Sequence, residues 1–173
     1  DSGGNTAIIS AGNNKLFKGS STLADNTPGS YTVSANNWKA VNFNDHAFFF
    51  QRAHEPLVYT HSVGNLEKMS SHAGAAGTPP QGNEVLAAFG KLFVADFAAD
   101  KSTIYWSDTL DGTTWTGGAT GSIDITNVWP TGYDEIVALA AHNGFLIIFG
   151  KDSIVIYSGA SAPASMTLED TIS

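Results

Sequence analysis

Residues 136–149 read IVALAAHNGFLIIF. Two apolar runs flank Asn143-Gly144, the dipeptide that most readily accepts the positive φ of a type I′ turn. The stretch therefore predicts a tight antiparallel hairpin. Neither run alternates apolar with polar residues, which is the pattern of strands covered on both faces.

The same arrangement recurs upstream. Residues 41–49 (VNFNDHAFF) and 87–94 (AAFGKLFV) each read strand, two turn residues, strand. Phe43 to Phe89 is 46 positions and Phe89 to His142 is 53. A second apolar and aromatic run ending in Ser follows each hairpin: 57–62 (LVYTHS), 104–107 (IYWS) and 154–158 (IVIYS). The intervals from Ser62 to Ser107 and from Ser107 to Ser158 are 45 and 51, so two separate landmarks give nearly one period. A weaker copy at 7–17 (AIISAGNNKLF) echoes 147–157. Units of 45–53 residues with about four short strands each are the size of β-propeller blades. The expected fold is all-β and β-propeller-like, with three to four blade-like repeats. A β-sandwich with recurring strands is the competing reading.

The 173 residues fit a single β domain, 1–173, with repeats at about 7–36, 37–83, 84–134 and 135–160. Residues 62–83 (SVGNLEKMSSHAGAAGTPPQGN) break the pattern and read as an insertion loop. Within it, 65–71 has the composition for one or two helical turns, and Gly77-Thr78-Pro79-Pro80 forces an extended exit.

The chain carries 8 Lys+Arg against 16 Asp+Glu, a formal net charge of -8, with the basic residues scattered along the sequence. That balance disfavours attraction to phosphate backbones. Absence of Cys excludes disulfides and thiolate metal sites. The longest apolar runs, such as 145–149, fall far short of the roughly 20 residues that cross a bilayer, so no membrane span is expected. The N-terminal DSGGNTAIISAG has neither the basic region nor the apolar run of an intact signal peptide and no initiator Met, which fits a processed, trimmed or partial chain.

Several residues invite chemistry. Residues 104–115, IYWSDTLDGTTW, half resemble the Asp-box turn of sialidase-type propellers: Gly112-Thr113-Thr114-Trp115 match, while Leu110 and Asp108 stand where Asp and Ser belong. That turn is structural even when intact, and the expected role is to close a blade. His46, His54, His61, His72 and His142 include no HExxH helix and no close i, i+4 pair. Asp96, Asp100, Asp108, Asp111, Asp134 and Glu135 raise a glycosidase reading through paired carboxylates, but most stand where Asp bonds its own turn. A sialidase would want several arginines, and the chain has only Arg52. There is no GxSxG, SxxK or phosphate-cradling loop. Trp38, Trp106, Trp115 and Trp129 offer sugar-stacking faces or, within strand patterns, core packing.

In order along the chain, 37–45 (NWKAVNFND), Ile104-Tyr105-Trp106-Ser107-Asp108 with Thr113-Thr114-Trp115, and 136–139 with 143–149 and Ser153-Ile154 resemble the propeller region of tail-hub or nozzle proteins of short-tailed bacteriophages. This is the tubular tail protein B or packaged-DNA stabilisation protein family. The resemblance spans about residues 7–159, and family members are considerably longer. It implies a structural virion protein of the phage tail, not an enzyme, without catalytic residues, metal or cofactors. It further implies a homo-oligomeric, hexamer-like ring joined to portal-adaptor or other tail proteins. Such a ring retains the packaged genome and then lets the DNA pass without specific binding. Acidic lumen residues would keep DNA from sticking, and Asp124, Asp134 and Glu135 are the candidates, whose change to Lys would slow DNA release. A glycan- or receptor-binding β module of a phage tail or secreted protein is the alternative, and a glycoside-processing propeller the third reading.

Overall fold

The computed structural model describes residues 8–33 and 37–173. Strands β1 (Ile9–Gly12), β2 (Lys15–Lys18) and β3 (Ala24–Asp25) form a three-stranded sheet. Three four-stranded sheets follow. The second contains β4 (Trp38–Phe43), β5 (His46–Gln51), β6 (Leu57–Thr60) and β7 (Leu66–Lys68). The third contains β8 (Glu84–Ala88), β9 (Lys91–Ala95), β10 (Thr103–Trp106) and β11 (Gly121–Asp124). The fourth contains β12 (Ala138–His142), β13 (Phe145–Phe149), β14 (Ile154–Ser158) and β15 (Thr167–Ile172). Every sheet is an antiparallel meander in chain order, so the protein is all-β. Among the described residues no helix is long and apolar enough to cross a membrane.

Each sheet opens on the same tight hairpin. The turn pairs Asn13-Asn14, Asn44-Asp45, Phe89-Gly90 and Asn143-Gly144 all have positive φ at both residues, as a type I′ turn requires. Asn, Asp and Gly tolerate that region, whereas Phe89 at φ 53 does not do so readily. Its ring compensates by packing edge-on against Phe93, with centroids 6.3 Å apart. The turn residues also correct the sequence alignment of the first unit. Residues 8–17 form a first hairpin equivalent to β12–β13, not to the β13–β14 pair that the sequence echo indicated.

The three core clusters lie between consecutive sheets. Leu16 from the first sheet meets Leu57, Tyr59 and Leu66 from the second. Phe48, Phe50 and Val58 meet Leu92 and Val94 from the third. Phe93, Ala95, Ile104 and Trp106 meet Leu139, Leu146, Ile148 and Val155 from the fourth. Strand alternation explains the division: β9 sends Leu92 and Val94 to one side and Phe93 and Ala95 to the other. All of β9 is buried, as its unbroken apolar sequence requires. Strand β4 lies against β8, and β8 against β12, so the second, third and fourth sheets meet along their first strands.

The fourth sheet has one packed face and one open face. Leu146, Ile148, Val155 and Tyr157 point into the core. The alternate residues Phe145, Ile147, Phe149, Ile154, Ile156 and Ile172 are half-buried or exposed and share the other face by cross-strand register. At the opposite end of the series, Ile8 and Leu23 are exposed and Phe17 is half-buried, its neighbour Leu16 having turned into the core.

Residues 62–83 are less of an insertion than the sequence indicates. Leu66–Lys68 forms β7, the last strand of its sheet, where one or two helical turns were expected, and only Met69–Ser71 makes a single 3-10 turn. Pairing with β6 wins because Leu66 fills the core between the first two sheets. The rest crosses to the third sheet, where Trp115 N donates to Ala76 O at 2.7 Å.

Candidate functional site

The segment 104–115 is built to hold the fold. Lys91, 1% exposed, follows the Phe89-Gly90 turn and extends beneath the long connection between β10 and β11. Its ammonium donates to Thr109 Oγ1 at 2.9 Å, Ala119 O at 3.2 Å and Ser107 O at 3.3 Å. Burial pushes its pKa below the ordinary lysine value, opposed by the charge of Asp108. Asp108 accepts from the amides of Thr109 and Ala119 at 2.7 and 3.0 Å, and Asp111 accepts from Thr113 N and Oγ1 at 2.8 and 2.7 Å. Gly112 is required by close approach: a Cβ there would stand 2.6 Å from Phe48 Cζ and 2.7 Å from Leu92 Cδ1. The left-handed residue of this turn is instead Leu110, at φ 57. Its amide bonds Gly90 O at 2.8 Å and its carbonyl accepts from Asn44 Nδ2, which ties two first-hairpin turns together.

The acidic lumen candidates separate. Asp124 lies on β11, the strand of its sheet furthest from β8, where it accepts from Thr126 N and Oγ1 at 2.8 and 2.6 Å. Asp134 is 3% exposed and cannot face a lumen. Its Oδ1 accepts from Glu135 N and Lys151 N at 2.7 and 2.8 Å, and its Oδ2 from Asp152 N and Ser153 Oγ at 3.1 and 2.6 Å. Burial acts to raise its pKa, but the Ser153 hydroxyl and these amides outweigh that and hold the carboxyl below the ordinary aspartate value. Glu135 reaches solvent and pairs with Lys151 at 2.8 Å. None of the three stands on β4, β8 or β12.

Glu84 stands at that junction instead and was missed in the sequence. It is 6% exposed and opens β8. Its Oε1 accepts from Leu139 N on β12 at 3.2 Å, and Lys39 Nζ on β4 lies 3.1 Å from its Oε2. One carboxylate thus joins three sheets. Beside it is a cleft of about 390 Å³ lined by Asn37, Lys39, Arg52, Asn83, Asp96, Lys101, Glu135, Ile136, Val137 and Lys151. Half of the eight basic residues converge here, although they are dispersed in sequence. Arg52 and Lys101 grip opposite oxygens of Asp96, the latter at 2.7 Å.

No family model matches the chain, and neither does any curated protein.

The other candidates are largely architectural. Trp106 and Trp129 are buried, and Trp115 and Trp38 pack against the cores beside β5 and β6. His46 and His142 both flank first-hairpin turns, on opposite sides: His46 is cross-strand from Phe43, and His142 from Phe145. His46 and His72 rings meet edge-on at 5.0 Å. Among the described residues no group of three or more His, Asp or Glu is placed to hold a metal ion. A second cleft, about 570 Å³, lies between the first two sheets and is lined by His46, His61, Tyr59, Phe43 and Phe49 among others.

Proposed function

We propose that this chain is a structural module of a short-tailed phage tail, an arc of β-propeller that works by assembly in the hub or nozzle conduit. The observation that carries the reading is the open apolar face of the fourth sheet. Three inter-sheet cores are filled by the same alternation of strand residues, and β13 and β14 present a further set of Ile and Phe in the same manner, which among the described residues joins none of those cores. Such a face associates in water. The contact of first strands from sheet to sheet supports the reading, since blades set around an axis would meet in that way. The phage-like phrases lie on strands and their turns: 38–45 on β4 and its turn, 104–106 on β10, and 138–149 on β12, β13 and the turn between them.

Assembly accounts for the acidic residues better than catalysis does. Asp100 accepts from the amides of Ser102 and Thr103, each at 3.0 Å, Asp96 holds two cations, and Asp108, Asp111 and Asp134 each accept from turn donors. Their work is to fix loops. In a ring of copies, the outer face of the fourth sheet meets the first-sheet face bearing Ile8, Phe17 and Leu23 on the next copy. That is a head-to-tail contact of the kind that closes rings.

Light scattering across a concentration series tests this. Wild-type chain is expected to form a multimer of defined mass, and Ile147→Lys, on the open face, to leave a monomer with its thermal midpoint nearly unchanged. A wild-type chain that stays monomeric throughout, or an equally multimeric Ile147→Lys, contradicts the proposal.

A further inference from the structure

We propose that the charged cleft beside Glu84 binds a polyhydroxylated ligand bearing one anionic group, a sugar acid. The cleft gathers Lys39, Arg52, Lys101 and Lys151 against Asp96 and Glu135 on its walls and Glu84 beside it. With all seven groups ionised the sum is one positive charge, a local exception on a chain of net charge -8. These cations keep donors to spare. Arg52 directs its Nε to Asp96 O and one Nη2 to the Asp96 carboxylate, which leaves other guanidinium protons available, since the fork carries five. An ammonium likewise has three donors, and Lys101 and Lys151 each meet one carboxylate. An arriving carboxylate therefore finds donors without displacing the existing pairs.

A second, independent feature selects the rest of the ligand. Asn83 is 4% exposed and lines the cleft, yet its Oδ1 is buried without a hydrogen-bond partner. A buried acceptor left unpaired is costly and native structures seldom tolerate one. What satisfies it is a donor, and an ionised carboxylate alone has none. A hydroxyl on the same scaffold supplies it, while Asp96 and Glu135 offer further acceptors at the walls. Val137, 44% exposed, gives the cleft an apolar flank for the C–H face of a sugar ring. The volume of about 390 Å³ lies within the range of small-molecule sites.

The probe is glucuronate, titrated into isotopically labelled full chain at low salt and followed by amide and side-chain shifts. Glucose, glucose 6-phosphate and inorganic phosphate serve as the other arms. Expected are saturable shifts at Asn83, Arg52, Lys101 and Val137 with glucuronate, absent with glucose. Raising the salt tenfold should weaken them severalfold, since part-exposed charges are screened. Lys151→Gln should weaken binding about threefold or more, whereas Lys15→Gln, on the first sheet, leaves it unchanged. Equal binding of glucose 6-phosphate assigns the site to anionic sugars generally and overturns the carboxylate preference. Equal binding of inorganic phosphate, which brings only its own P–OH, overturns the requirement for a sugar scaffold. No saturable shift, or an unaltered affinity in Lys151→Gln, overturns the site and leaves the cleft as an ionic seam between sheets.

Discussion

Asp134→Ala is expected to lose about 4 kcal/mol of stability at neutral pH, because breaking a buried, fully bonded carboxylate strands its donors. Three backbone amides and the Ser153 hydroxyl converge on this side chain. Together they fasten the 150–153 turn to the segment that leads into β12. Gly150 belongs to the same construction, since a Cβ there would stand 2.1 Å from Asp134 Oδ2. Asp134→Asn retains an acceptor for the Glu135 and Lys151 amides but sets an amide group against Asp152 N, so its loss should be roughly half as large. The effect has a pH signature. The Ser153 hydroxyl and the amides hold the folded carboxyl below the ordinary aspartate value, so its stabilisation is complete above the unfolded pKa and fades as the pH falls through the depressed folded pKa. Urea denaturation at pH 7 and near pH 3 should show the gap between wild type and Asp134→Ala narrowing at the lower pH. A gap that stays constant or widens would refute the role assigned to the ionised group.

Lys91→Met is the second large effect. Methionine fills the space of the lysine stem but leaves Ser107 O and Thr109 Oγ1 without the ammonium donor, while Ala119 O keeps Trp106 Nε1 at 3.1 Å. At about 1–3 kcal/mol for a buried group left unsatisfied, with partial rescue by water, the expected loss is about 3 kcal/mol. At roughly 2–4 °C per kcal/mol for a chain of this size, the thermal midpoint falls by about 6–12 °C. Thr109→Val removes one acceptor without stranding the ammonium and should lose about 1 kcal/mol. Equal losses in the two variants would mean that the lysine does not organise the connection. Protection of the 107–120 amides against hydrogen exchange should fall first in Lys91→Met, since that connection holds few backbone pairs of its own.

What could be read from the sequence depended on whether the determining residues were neighbours. Asn143-Gly144 announces its turn because the dipeptide and its flanks carry the whole signal. Phe89-Gly90 was legible only through its apolar flanks, since Phe is a poor residue for positive φ. The fully buried strand β9 shows as an unbroken apolar run for the same local reason, and β13 carries the same kind of run although one of its faces is open.

Strand β15 escaped detection because Thr167–Ile172, TLEDTI, is an exposed edge strand with a largely polar sequence. It pairs through its backbone with β14. The two-residue β3 and the short β7 give too little pattern to register. The site was harder still. Asp134 looks like a turn residue, yet its partners lie 17 to 19 positions away. Glu84 and Leu139 are 55 apart. The basic residues look scattered because the cleft draws them from three sheets, and no local window contains that fact.

We propose that the chain works in a phage tail conduit and joins it through the open face of the fourth sheet. The most direct test mixes the purified chain with a portal-adaptor complex of a short-tailed phage carrying the same tail phrases, and measures the mass of the resulting particle. The account predicts capture of wild-type chain as a ring of fixed stoichiometry and loss of that ring with Ile147→Lys. A wild-type chain that leaves the mass of the complex unchanged would contradict it.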